Sequence, residues 1–232
     1  EAAIQQGSGE VNDYLFLGSL LWQARQFDRM QLVGERAVKI FPEQPITHFQ
    51  LALASRARDQ HEKAAKHFAE AEQLASASQA ELLDHTFYYQ YGSTLEHLGR
   101  YDDASRMLEK SITLTPREKS EAAANTMNFL GYMWLEQGKN LDKAAELIAK
   151  ANELSPDNPA YIDSLGWLHF KKGEFAKALA DFQRAEKLIP EIQSEDAEIL
   201  EHIALAHKQL GDATKALDYL ERANALKTPF PK

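Results

Sequence analysis

Eight histidines punctuate this 232-residue chain: His48, His61, His67, His85, His97, His169, His202 and His207. A zinc site on one helix needs ligands that share a face, as in His-Glu-x-x-His, and no such pair occurs. His202 and His207 are five apart, about 140° around a helix, so they do not share a face well. His61 and His67 are six apart across a turn and a helix start. The stretch GSTLEHLG holds Ser93 and His97 on one helical pattern. A serine nucleophile needs a base and a group that orients it, and none accompanies this pair. There is no cysteine, which removes thiolate catalysis, disulfides and Cys-ligated zinc together. No Gly-rich phosphate loop and no Gly-x-Ser-x-Gly appears. The histidines therefore read as packing or surface residues, and no catalytic residue, metal ligand or cofactor is implied.

One group of carboxylates stands out: Glu195, Asp196, Glu198 and Glu201 crowd the start of a helical pattern. Acidic residues are favourable at a helix N-terminus, where the macrodipole is positive, and Ser194 is placed to cap that helix. The alternative is an acidic lip that faces a basic partner.

Composition narrows the class of partner. The chain is 44% apolar, enough to build a core, and carries a formal charge of −9. That balance argues against a nucleic-acid backbone or an anionic membrane as the main partner. The longest apolar stretch, Leu15 to Trp22, is broken by Gly18 and Ser19 and is too short to cross a bilayer. The opening residues, EAAIQQGSGE, show neither a methionine nor an apolar leader, so the chain reads as a piece of a longer precursor.

The elements that must position any site follow from a repeat. From Gly166 it is twelve residues to Ala178, seven more to Ala185 and five more to Pro190. The same steps from Gly92 reach Ala104, Ser111 and Pro116, and from Gly18 they reach Met30, Ala37 and Pro42. Gly131 leads to Ala144, Ala151 and Pro156 with one inserted residue. Weaker copies start at Ala52 and Ala204 and run to Ser76 and Thr228. The unit is about 34 residues of helix, turn and helix. Small residues let packed helix axes approach, large ones such as Phe68, Phe182 and Leu220 fill the space toward the next unit, and a glycine ends each of the last four first helices. The third and fourth first helices are expected to start early, near Ser78 and Arg117.

On these residues the chain resembles the tetratricopeptide repeat family over about residues 11–230. The resemblance implies an all-α fold, a right-handed α-solenoid of about six repeats at 11–44, 45–78, 85–118, 124–158, 159–192 and 197–230. Residues 1–10 would be the tail of a preceding repeat or a linker. A solenoid end needs a solvating face, so more chain or a neighbouring molecule is expected at one or both ends.

In this family the first helices line a concave groove that holds the partner. Residues three and four apart share a helix face. Counted from the Gly and Ala slots, the lining should comprise Leu15, Ser19 and Trp22, then Phe49, Leu53 and Arg56. Tyr89, Ser93 and Glu96 follow, then Asn128, Tyr132 and Leu135, then Asp163, Trp167 and Phe170, and last Glu201, Leu205 and Lys208. Aromatic residues are common in binding hot spots, and some of Tyr89, Tyr132 and Trp167 are expected to be accessible. Family members that grip a terminal carboxylate do so with Lys and Asn at places held here by Leu15, Phe49, Tyr89, Asn128, Asp163 and Glu201, so that clamp is not expected. An extended or helical segment with apolar anchors, basic near the sixth unit, suits the lining. The stretch DNPAYIDSLGW is similar to repeats of bacterial cell-envelope adaptors and lipoproteins, which implies a periplasmic or outer-membrane-associated location. The expected function is a non-catalytic scaffold for a protein or peptide. The alternatives are an assembly module that self-associates through open ends, and a positioning part of a longer enzyme.

Overall fold

A computed structural model describes residues 9–78, 80–116 and 120–227, and the side chains of all of these but 76–78. The reading of EAAIQQ, the early start at Arg117 and the slots at Ser76 and Thr228 lie outside what is described. Two compact units divide the chain, 1–115 and 116–232.

In the first unit, α1 (Val11–Gln23) pairs with α2 (Phe27–Ile40), α3 (Pro45–Arg56) with α4 (His61–Ser78), and α5 (His85–His97) with α6 (Tyr101–Leu114). α2 also packs on α3, and α4 on α5. The second unit repeats the scheme with α7 (Ser120–Glu136) and α8 (Leu141–Leu154), α9 (Pro159–Lys171) and α10 (Phe175–Leu188), and α11 (Ala197–Gln209) and α12 (Ala213–Lys227). The extra helix before the third pair belongs to α4, which runs on to Ser78. The first helix of that pair cannot start early, because Asp84 caps α5 by accepting the Phe87 amide at 2.9 Å.

The repeat sets where helices touch. Ala104, Ala144, Ala178 and Ala185 are fully buried. At Gly166 an added Cβ would stand 2.6 Å from the Phe182 ring, so the glycine is the space into which that ring packs. Phe182 then reaches forward to His202 of the next pair, with ring centroids 5.1 Å apart. Gly92 opens the same space for Leu108, and Gly131 for Ile148. Pro190 is exposed just beyond α10, where the helix has ended.

The first pair differs. Gly18 does not receive a residue of α2; it makes room for the Gln50 amide of α3, which donates to the Leu15 carbonyl at 3.0 Å. Gly34, out of step with the repeat, has its own contact: a Cβ there would stand 3.2 Å from Leu51 Cβ, so α2 and α3 meet closely. Turn chemistry differs as well. Gly173 ends α9 with φ +77°, but Arg25 and Asp59 hold the corresponding left-handed positions at +53° and +56°, a conformation that costs an L-residue roughly 1 kcal/mol. The last pair departs at Leu220, which is 42% exposed on α12, with no following helix among the described residues.

Histidines tie the first unit together. His48 Nε2 lies 3.0 Å from the Pro42 carbonyl, which can only accept, so His48 carries its proton there. Its Nδ1 is then the acceptor for His67 Nδ1–H at 3.1 Å. Burial, then the neighbouring His48, lowers the His67 pKa to about 4 from 6.5, with Lys63 and Lys66 acting the same way and Glu35 against them.

Two measurements check this packing. Gly166→Ala drives a methyl into a buried ring and should destabilise by about 1–3 kcal/mol in urea unfolding, whereas Gly18→Ala meets the end of a flexible glutamine and should cost less. For His67, the unfolded chain binds the proton at a higher pH than the folded one. Stability should therefore fall as pH drops from 6.5 towards 4 and level off below. His67→Gln should flatten that part of the profile of melting temperature against pH.

Candidate functional site

The lining residues of the first unit come together. Leu15, Ser19 and Trp22 recur at four and three residues, so α1 presents them on one face. Opposite them α3 presents Ile46, Phe49, Gln50 and Leu53, and with Gln23 and Met30 these side chains enclose a cleft of about 370 Å³. No charged side chain lines it. Trp22 is 42% exposed, with its ring edge-on to Phe27 at 5.4 Å. Phe49 is half-buried and backed by Phe68 and Phe87 at 6.0 and 5.3 Å. Tyr89 lies half-buried on α5. Gln23, Met30, Ile46 and Gln50 were not among the expected lining. Gln50 is one residue off the lining stripe, and nothing in the spacing signals that its amide crosses to α1.

Next to the cleft, one turn along α3 from Leu53, stands Arg56. Its Nη2 donates to the Ser93 hydroxyl at 3.1 Å. Its Nε–H is buried without an acceptor.

In the second unit the expected residues are mostly occupied with one another. Tyr132, half-buried on α7, donates its hydroxyl to Glu198 Oε1 at 2.8 Å. Burial and then the Glu198 charge push its ionisation far above the ordinary tyrosine value. Of the three aromatics among which accessible ones were expected, Trp167 is not one: only 9% of it is exposed. Its ring stacks with His202 at 4.3 Å and Phe170 at 4.9 Å, its indole N–H donates to Glu136, and Lys171 Nζ lies 4.8 Å from the ring centroid. Asp163 is 7% exposed, and its two oxygens stand 2.9 and 3.0 Å from His202 Nδ1. Burial raises the Asp163 pKa, and His202 works against that rise. Trp167 and Asp163 thus support the lining from beneath. Phe170 and Asn128 are half-buried, and the Asn128 Oδ1 is buried with no partner.

The acidic group is also partly satisfied. Glu201 accepts from Lys227 Nζ at 2.6 Å. Asp196 accepts the Gln193 amide at 2.9 Å and forms a capping box with it, so the cap expected of Ser194 is made one residue earlier, by Gln193. Among the described residues no three His, Asp or Glu side chains are arranged to hold a metal ion, and no helix is long and apolar enough to cross a membrane. The geometry comprises an apolar cleft with a cationic neighbour in one unit, and a hydrogen-bonded aromatic cluster in the other.

Comparison with known proteins fits this arrangement. Residues 159–192 match a family model described as tetratricopeptide repeat, and residues 85–118 and 197–228 match a second model of the same description. The TPR repeat-containing protein PA4667 of Pseudomonas aeruginosa is 32% identical over 102 residues, which cover 44% of this chain and 16% of that protein. The matches span between 16% and 30% of the length of the curated relatives. Among solved structures, PilW, a widely conserved type IV pilus biogenesis factor, superposes with a TM-score of 0.72 at 17% identity, covering 93% of this chain and 92% of PilW. The APC/C hetero-tetramer Cut9–Hcn1 gives 0.71 at 17% identity, covering 97% of this chain and 41% of that one. These likenesses show the fold, an all-α tetratricopeptide-repeat solenoid. Such repeats generally serve as non-catalytic scaffolds that bind proteins.

The buried and exposed tryptophans should behave differently on truncation. Trp167→Ala empties a stacked core position and should cost about 3–5 kcal/mol in urea unfolding, while Trp22→Ala should cost under about 1 kcal/mol.

Proposed function

The chain carries tetratricopeptide repeats, and on that premise we propose that it is a scaffold that captures a protein or peptide segment on the face formed by its first helices. The observation that carries this reading is the cleft between α1 and α3, whose walls are apolar and whose aromatic Trp22 is 42% exposed. Apolar side chains left uncovered beside a preformed cleft are characteristic of interaction sites. Tyr89, Phe170 and Tyr132 extend the same kind of surface on the first helices of their own units. Near Glu198 and Glu201 the surface suits a basic side chain of the partner. The resemblance of DNPAYIDSLGW to envelope repeat proteins makes the bacterial cell envelope the compartment in which to seek that partner.

A second reading has its own support. Leu217 on α12 is 61% exposed and Leu220 lies one turn beyond it, an apolar row that a second copy of the chain could cover.

One comparison separates the two. The wild-type chain and the double variant Trp22→Ala, Phe49→Ala are immobilised, and proteins retained from a bacterial envelope extract are identified by mass spectrometry. The double variant, with unchanged helicity, should lose the retained protein at least tenfold. Equal retention would count against the cleft. A mass by light scattering that rises with concentration and falls back in Leu217→Glu would favour self-association.

A further inference from the structure

Arg56 is a half-buried cation on the lining of the first unit. Its recorded partner is the neutral Ser93 hydroxyl, and its Nε–H has no acceptor. No carboxylate among the described residues forms an ion pair with it; Glu96 and Arg56 act on His61 in opposite senses, Glu96 raising its pKa and Arg56 lowering it. The contrast with other arginines is plain: Arg58 meets Asp28 at 2.6 Å, Arg100 meets Asp103 at 2.6 Å and Arg222 meets Glu186 at 2.7 Å. The chain holds 35 acidic and 26 basic residues, so carboxylates are in excess, yet this guanidinium is left without one.

A partly desolvated charge with no counter-charge is costly to keep. Ser93, itself almost wholly buried, holds one edge of the guanidinium in place. A planar guanidinium fixed in this way offers N–H donors in a fork that matches a carboxylate. The cleft wall at Leu53 lies three residues before Arg56, about 4.5 Å along α3. Both features sit on the face that the lining pattern assigns to partners.

We infer that the first unit recognises a partner segment in which an apolar side chain fills the α1–α3 cleft and an Asp or Glu side chain close by in sequence pairs with Arg56. This deepens the scaffold reading and rests on it. In an extended segment, alternate side chains lie on one side and span about 6.6 Å. In a helical segment, residues three or four apart lie about 5–6 Å from each other. Either spacing is close to the rise from Leu53 to Arg56 along α3. The negative charge of the chain as a whole would repel an acidic segment at long range, so the pairing selects at short range.

The probe is a library of random linear dodecapeptides panned against the whole 232-residue chain, without a histidine tag. Hits are resynthesised with amidated C-termini, so that only side-chain carboxylates remain, and their affinities are measured by fluorescence polarisation. The expected hits combine Leu, Phe, Trp or Met with Asp or Glu two to four residues away. Replacing that acid by its amide should weaken binding about tenfold, added salt should weaken it too, and Arg56→Gln should abolish both effects. Arg56→Lys keeps the charge and loses the fork, and should recover part of the affinity. Trp22→Ala should weaken every hit. Hits that need Trp22 but ignore Arg56 and the acid would overturn the pairing and leave the cleft standing. Hits indifferent to both residues, or no hits at all, would overturn both. Thermal melts of each variant, unchanged from wild type, exclude unfolding as the cause.

Discussion

Everything in this structure depends on how closely two helices can approach. Helix axes meet at about 8–10 Å, and the lower end of that range is open only where side chains are small. Gly166 shows the constraint in its sharpest form, because the Phe182 ring occupies the place its Cβ would take. With that ring seated, its far edge is free to meet His202 of the next pair. One glycine therefore fixes the geometry within a pair and, through one aromatic, the geometry between pairs. No pair buries its own apolar face, so stability is gained by stacking.

That constraint was legible in the sequence because it acts through residue size at fixed spacing. Ala104, Ala144, Ala178 and Ala185 could be assigned to helix crossings from their positions alone, and all are fully buried. Gly18 fits the same spacing but serves a different neighbour, the Gln50 amide. A pattern of small residues says that something comes close, and it does not say what. Gly34, out of step with the repeat, lies against Leu51 of α3, a contact that no spacing within α2 announces. The helix ends were readable where a glycine takes a positive φ. They were not readable at Arg25 and Asp59, which accept the same conformation without the residue type that advertises it.

The shared face of the first helices was legible by position and much less so by exposure. Leu15, Ser19, Trp22, Phe49 and Leu53 do line one cleft, as their three- and four-residue spacing requires. Trp167 occupies the equivalent face of α9 and is nevertheless buried, because Phe170, His202, Lys171 and Glu136 close over it from two other helices and its own. Whether a residue on a known face is open depends on side chains far away in sequence, and no periodicity within one helix contains that information. The Asp163–His202 contact spans 39 residues and was hidden for the same reason.

The polar groups of the two units point to different tasks. In the second unit, hydroxyl, indole, carboxylate and imidazole satisfy one another: Tyr132 with Glu198, Trp167 with Glu136, Asp163 with His202. A ligand that displaced any of them would have to replace a hydrogen bond already made, so little net affinity is available there. In the first unit the cleft is apolar and unfilled, and the nearby guanidinium lacks a counter-charge. A partner there removes apolar surface from water without breaking an internal bond, and it relieves an unpaired charge. That difference separates the two units: apolar surface is left uncovered between α1 and α3, whereas the polar groups named in the second unit are already paired.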